Sequence, residues 1–438
     1  MIRLPKTATA PFCPSEVRGT VQIAADAGFR GKIARFLGPG LLVSVGYMDP
    51  GNWATDIEAG SKFGYGLLFV VVLSGLAAML LQALAMRLGV VSGKDLAQIS
   101  RERYGRRANL SLWILAELSI VACDLAEVLG GALAFHMLLG VSLLAGIVLT
   151  AFDTLIVLGL KGQKFRQLEA IVLGLILTIG ISYLVELWLI GPVWSDVARG
   201  LLPDWRIIGQ KDALYLAVGV LGATIMPHNL YLHSSIVQTR VIGSSEQAKR
   251  EAIGFLGFDS ILSLSFATAI NAAILILASA ALNANGYQAV SDIEDAYHLL
   301  DPIVGGSLAG ILFAIALLAA GQNSTFTGTV AGQVILEGFL NIEIPCWQRR
   351  LITRSLALIP AFVGVAWLGE QAVGKLLVLS QVILSLQLPF ALYPLIRFTS
   401  DRDVMGVLAN SRLVVIVAWS LFVVISVANL ALLVEMAM

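Results

Sequence analysis

Charge is scarce in this 438-residue chain: Asp, Glu, Lys and Arg make up 13% of it. A soluble chain carries about 25%, so a single water-facing globule is excluded. The formal net charge is zero. That leaves no bulk basic field for nucleic acid, and no such partner is expected. Cysteine is nearly absent: Cys13, Cys123 and Cys346 are odd in number, scattered and without a CxxC pair. They define no disulfide framework. Gly89-Val90-Val91-Ser92-Gly93-Lys94 falls one residue short of a phosphate-binding GxxxxGK loop, and no strand leads into it. HExxH and comparable ligand-plus-base patterns are missing, which argues against an enzyme.

Long apolar runs are what the chain has in quantity: 58% of its residues are hydrophobic. Stretches long enough to span a bilayer (roughly 17–25 residues) recur about eleven times. They lie near 36–62, 65–88, 109–139, 142–160, 168–190, 212–240, 252–283, 304–338, 350–369, 373–398 and 411–436. The expected class is therefore an all-α polytopic membrane protein. Lys and Arg in short loops mark the inner side. Lys94, Arg101, Arg103, Arg106 and Arg107 sit in one connection, and Lys161, Lys164 and Arg166 in another. Arg240, Lys249 and Arg250, then Arg349 and Arg350, then Arg397, Arg402 and Arg412 fall on the same side. The seventh-to-eighth loop instead has Asp292, Glu294 and Asp295; Arg199, Arg206 and Lys211 in the fifth-to-sixth loop are the exception. The N-terminus is thus expected in the cytoplasm, the C-terminus outside, and the protein in the cell (inner) membrane.

Two prolines interrupt these spans in similar company. Tyr47-Met48-Asp49-Pro50-Gly51-Asn52 lies in the first, and Thr224-Ile225-Met226-Pro227-His228-Asn229 in the sixth. Aligning the prolines sets Asn52 on Asn229 and Asp49 against Met226. Proline breaks the helical ladder, and paired broken helices point to a transporter's binding site. Breaks in helices one and six fit two inverted five-helix repeats. The expected divisions are a cytoplasmic tail over 1–35, a first repeat over 36–190, an external connection over 191–211 and a second repeat over 212–398. A connection and the eleventh helix follow over 399–438.

Asp49, Asn52 and Met226 are the leading ligand candidates. A carboxylate supplies charge, an amide a neutral oxygen. A thioether is a poor ligand for Mg²⁺ or Ca²⁺ but a tolerable one for Mn²⁺, Fe²⁺ or Cd²⁺. Unwinding at the prolines frees carbonyls of the preceding turn, so Gly46 and Ala223 could each offer an oxygen. A lone membrane methionine would read as core filler; beside Pro227 and His228 it does not. In the third span Glu117, Asp124 and Glu127, at spacings of seven and three, share one helical face. They read as a proton path or as the acidic half of an ion-pair network, with Arg240, Arg349 and Arg350 as partners. His228, at the break, is assigned proton handling or gating. His233 either lines an exit or is a packing histidine. Gln381 in the tenth span could reach the site from the outer side.

Asp49-Pro50-Gly51-Asn52 with Met226-Pro227-His228 resembles the paired signature motifs of the NRAMP divalent-metal transporters. The likeness extends over most of the chain. It includes Asp124-Leu125-Ala126-Glu127, Arg349-Arg350 and Leu379-Ser380-Gln381, and it is to the compact bacterial proton-coupled manganese/iron type. The resemblance implies a LeuT-type fold and symport of Mn²⁺ or Fe²⁺ with protons, with Cd²⁺, Co²⁺ and Zn²⁺ as further candidates. It implies metal ligation at Asp49, Asn52 and Met226, carbonyl ligands at Ala223 and Gly46, and Gln381 as a ligand in the outward-facing state. It implies a proton route from Asp49 and His228 through Asp124 and Glu127 to the network of Glu117, Arg240, Arg349 and Arg350. No resident cofactor is expected; the partners are the transported ion, protons and the bilayer, and the protein is expected to be a monomer. A sodium-coupled amino-acid symporter of the same fold is the alternative, although its substrate carboxylate would want helix N-termini rather than Asp49. An intramembrane metalloenzyme or a passive channel stands further off.

Overall fold

The computed structural model describes residues 18–23, 28–152, 165–288, 290, 292–304, 307–342, 344 and 346–437. Cys13, Lys161 and Lys164 lie outside these residues, as do the side chains of Cys346 and Arg350. Regular structure among the described residues is helical, apart from one isolated parallel bridge between Val21 and Arg240.

The first span is two half-helices. α1 (Pro39–Ser44) tightens into a 3₁₀ turn over Val45–Met48, Asp49 is extended, and α2 (Pro50–Phe63) carries on. α3 (Leu68–Ser92) and the short α4 (Leu96–Arg103) lead to α5 (Arg106–Leu139). α6 (Leu143–Ala151) bends from α5 by 117°. α7 (Phe165–Ile190) precedes the second broken span, made of α8 (Lys211–Ile225) and α9 (Pro227–Ile236). α10 (Glu246–Ala281), the peripheral α11 (Ile293–Val304), α12 (Ser307–Leu340), α13 (Cys346–Leu368), α14 (Val373–Ser400) and α15 (Arg412–Ala437) complete the chain.

Among the described residues seven helical stretches are long and apolar enough to cross a membrane, or eight with the bent α5–α6 pair. Part of the shortfall from eleven is local, and part lies outside the described residues. α1 is a six-residue half-span, and α2 runs with α3 as one stretch, Pro50–Ser92. The expected fourth span is described only over Leu143–Ala151. The described apolar part of α13 is Leu351–Trp367, shorter than the other spans.

Both prolines open a helix rather than kink one. Pro50 and Pro227 sit at N1 of α2 and α9, where a missing N–H costs nothing. The carbonyls four residues earlier, Gly46 and Ala223, therefore face nitrogens that carry no hydrogen. The two breaks lie at the centre of the bundle. The apolar window of the α8–α9 stretch is 83% buried, whereas that of α15 is 17% buried. α15 packs against α14 and α8 and shows Leu413, Ile416, Val424, Val427 and Leu430 to the outside. Such a face suits lipid.

Candidate functional site

Asp49 has two tasks that its two oxygens divide. Oδ1 accepts the backbone N–H of Asn52 at 2.8 Å and so caps α2, the usual service of aspartate at a helix start. Oδ2 is buried and has no hydrogen-bond partner. Asn52 Oδ1 and Gln381 Oε1 are likewise buried and unpartnered. Gln381 joins this group from α14: its Nε2 donates to Ser380 Oγ at 3.0 Å. A β-carbon placed on Gly51 would lie 1.7 Å from that same Nε2. The amide is therefore laid directly over the Asp-Pro-Gly-Asn turn.

Met226 closes the site from the other break. Its φ is +41°, and Asn341 is the only other non-glycine residue with positive φ among the described residues. Such a backbone costs of order 1–3 kcal/mol and persists where surrounding structure holds it. A β-carbon on Gly46 would come within 3.1 Å of Met226 Sδ and 2.3 Å of Asn229 Nδ2. Gly46 thus admits both side chains. Asn229 Nδ2 lies 3.5 Å from both Met226 Sδ and the Val43 carbonyl, and its Oδ1 is one more buried acceptor without a partner. Asp49, Asn52, Met226 and Gln381 are all essentially inaccessible to solvent, so the site is closed on both sides.

Beside it runs a chain of polar contacts into α5. His228 Nε2 is 3.8 Å from Cys123 Sγ, which is 3.6 Å from Glu127 Oε1. Ser324 Oγ of α12 donates to that same oxygen at 2.8 Å, and Arg354 Nη1 of α13 lies 3.7 Å from Glu127 Oε2. A β-carbon on Gly328 would be 2.9 Å from Glu127 Oε1 and 3.9 Å from Asp124 Oδ1, so both carboxylates border α12. Further along α5, Glu117 pairs with Arg349. The stripe Glu117, Asp124, Glu127 does face inward as its spacing predicts.

Arg240 departs from expectation. It does not join Glu117 and Arg349 but pairs with Glu169 of α7 at 2.7 Å. Its Nη2 also donates to the Leu37 carbonyl at 2.6 Å and its Nε to the Arg35 carbonyl at 3.2 Å. Arg166 supports Glu169 at 2.6 Å, and Asp259 Oδ2 accepts from the amides of Gly38 and Gly40 at 3.0 and 2.7 Å. The loop position of Arg240 placed it near the inner side but could not say which acid it would meet. His233 lines no open exit in this conformation. It is buried, and its Nδ1 lies 2.9 Å from Gln82 Oε1; Gln82 Nε2 in turn donates to Tyr47 Oη at 2.8 Å.

Sequence reasoning passed over Cys123, Glu169, Asp259, Gln82 and Arg354. Four of these are polar or charged groups in apolar spans, a signal that was available. Cys123 gave none, because a small apolar thiol looks like its neighbours. Among the described residues no group of three or more His, Cys, Asp or Glu side chains comes together as a metal centre.

A family model described as natural resistance-associated macrophage protein-like (Nramp) matches residues 40–435. The chain is 68% identical over 427 residues to the divalent metal cation transporter MntH of Ralstonia nicotianae, covering 98% of this chain and 97% of that one. To the divalent metal cation transporter MntH 1 of Pseudomonas aeruginosa it is 68% identical over 430 residues, with 98% of each chain covered. The crystal structure of an Eremococcus coleocola manganese transporter superposes with a TM-score of 0.88 at 39% identity, covering 96% of this chain and 90% of that one. Its LeuT-type architecture, two inverted repeats with broken first helices, is the one built here from α1 to α14. On a family match that spans nearly its whole length, the chain belongs to the Nramp family.

Proposed function

We propose that this protein imports a divalent transition-metal ion, Mn²⁺ or Fe²⁺, by proton-coupled alternating access between the two broken helices. One observation carries the reading: Asp49 Oδ2, Asn52 Oδ1 and Gln381 Oε1 are buried acceptors without a donor, gathered at helix breaks that also hold a thioether. Buried polar atoms are almost always satisfied, and several buried acceptors left without a donor around one helix break suit a cation. Carbonyls of Gly46 and Ala223, denied their amide partners by the prolines, would complete the shell. One charge, neutral oxygens and a thioether make a moderate ligand set. It is strong enough to capture an ion and weak enough to release it, unlike the three- or four-ligand cages of resident metals. Met226 supplies the preference over Ca²⁺ and Mg²⁺, which favour oxygen alone.

Protons would leave by the neighbouring contacts. His228, Cys123, Glu127 and Asp124 lead away from Asp49 toward Glu117 and Arg349. The Lys and Arg loop pattern supports a cytoplasmic N-terminus, an external C-terminus and residence in the inner membrane. The protein would work as a monomer, since each site is built within one chain. An amino-acid symporter is disfavoured by Asp49, whose free oxygen would repel a substrate carboxylate.

Proteoliposomes supply the test. Mn²⁺ uptake should quicken with an inward proton gradient, resist replacement of sodium, ignore added amino acids and vanish in Asp49→Ala. Uptake that needs sodium, or that amino acids compete away, would reject the reading.

A further inference from the structure

The geometry points to a binding site for one anionic phospholipid of the leaflet on the Lys- and Arg-rich side, in the groove between the leading helix Phe29–Phe36 and α10. The inference goes beyond metal transport and does not depend on it. The leading helix carries Arg30, Lys32 and Arg35 and no acid, with Phe29, Ile33 and Phe36 along one face. That face docks on α10 through Phe255: Phe36 stacks on it with ring centres 5.2 Å apart, and Phe29 tilts against it at 5.7 Å. Docking leaves a cavity of about 360 Å³ lined by Phe29, Ile33, Gly254, Phe255 and Phe258, with Arg250 and Glu251 at its edge.

The cavity is graded as a lipid is. Arg250, Gly254 and Phe258 follow at i, i+4 and i+8 on one face of α10, about 6 Å deeper at each step. Charge stands at the rim, open space in the middle, since nothing lies within 4 Å of a β-carbon on Gly254, and an exposed aromatic ring below. Phe258 is 54% exposed and continues into the exposed Ile261 and Leu262, so an acyl chain in the groove runs on into the bilayer-facing surface. The headgroup is chosen by charge. Lys32 is held by Glu251 at 2.6 Å and Arg250 by Glu246 at 2.7 Å, whereas Arg30 has no ion pair among the described residues. Counted over the leading helix and the start of α10, Arg30, Lys32, Arg35, Lys249 and Arg250 stand against Glu246 and Glu251, so this end of the groove is net positive. Basic residues at such a surface attract anionic lipid, and an amphipathic helix with a basic face lies in the interface. The bound lipid braces the helix that leads through Gly38 into α1.

The full chain, purified from vesicles of equimolar phosphatidylcholine and phosphatidylglycerol, is analysed by native mass spectrometry for retained lipid. Wild type should keep phosphatidylglycerol in preference to phosphatidylcholine. Gly254→Phe, which fills the open middle of the groove, should lose it while Mn²⁺ binding stays at the wild-type level. Arg30→Gln and Arg250→Gln, both at exposed sites where folding is not at stake, should each lower the retained ratio about fivefold, the factor for roughly 1 kcal/mol per basic residue. Equal retention of both lipids by wild type, unchanged ratios in the two arginine variants, or cross-linking of Phe258→Cys to a second copy of the chain would each overturn the proposal.

Discussion

Asp49 and Glu169 are both buried carboxylates on helices that meet near the first span, yet their surroundings are opposite. Glu169 has Arg240 on one oxygen at 2.7 Å and Arg166 on the other at 2.6 Å. Nearby, Asp259 accepts two backbone amides, and Gly38, at φ +135°, leaves no room for a β-carbon, which would fall 2.1 Å from Glu169 Oε1. Every charge in this inner cluster is answered, and the cluster ties the entrance of α1 to α7, α9 and α10. Asp49 keeps one oxygen without any donor, and so do Asn52 and Gln381 around it. Burying a polar group unpaired is costly, so the contrast separates residues that hold the fold from residues kept ready for a ligand.

That contrast can be broken by substitution, and the inner cluster should yield the largest effect. Arg240→Gln leaves Glu169 with a single partner, and loss of one member of a buried pair costs about 3–5 kcal/mol. Its melting temperature should fall steeply, while Mn²⁺ affinity in the protein that remains folded stays near wild type. Asp49→Asn should do the reverse. Calorimetric titration should find Mn²⁺ binding weakened by about 100-fold or more, beyond the 10–100-fold typical of losing a supporting contact. Its melting temperature should hold or rise, because a buried charge has been removed. A stable Arg240→Gln together with an unfolded Asp49→Asn would refute the division.

Met226 sharpens the comparison at a smaller scale. Met226→Ala and Met226→Gly both remove the sulfur, so both should admit Ca²⁺ in competition with Mn²⁺. Only glycine accepts φ +41° without strain, so Met226→Gly should melt above Met226→Ala by the equivalent of about 1 kcal/mol. Exclusion of Ca²⁺ by Met226→Ala as strict as in wild type would remove the soft-ligand argument.

The smallest effect lies outside the membrane, at Asp95, which caps α4 through Gln98 N at 2.8 Å. Burial pushes its carboxyl up to about 7, against the amides of Gln98 and Ala97 and the charge of Arg101, which pull it down. A carboxyl with a raised value binds its proton more tightly folded than unfolded. Its contribution is therefore complete below the ordinary aspartate range and is lost as pH climbs through about 7. The drop in melting temperature between about pH 5 and about pH 8 should be smaller in Asp95→Asn than in wild type. An identical drop in both would show that Asp95 stays ionised.

What was legible in the residues was what proline, charge and hydropathy encode locally. Pro50 and Pro227 marked both breaks, because a nitrogen without hydrogen must begin a helix or interrupt one. The stripe of Glu117, Asp124 and Glu127 followed from helical period alone. Less legible was partnership. Arg240 meets Glu169 on α7, and Glu127 meets Arg354 on α13. Cys123 stands between His228 and Glu127 by virtue of a contact between α5 and α9.

Local order along the chain thus determined where helices start and stop, that a bilayer surrounds them, and which groups would be expensive to bury. Only the tertiary structure decided which of those expensive groups are answered. A hydrogen bond or ion pair joins side chains from helices far apart in sequence, and no local pattern records which helices touch. Asp49 and Glu169 look equally costly as letters; packing brought Arg240 from a distant segment to Glu169, beside its local partner Arg166, and left Asp49 an open oxygen.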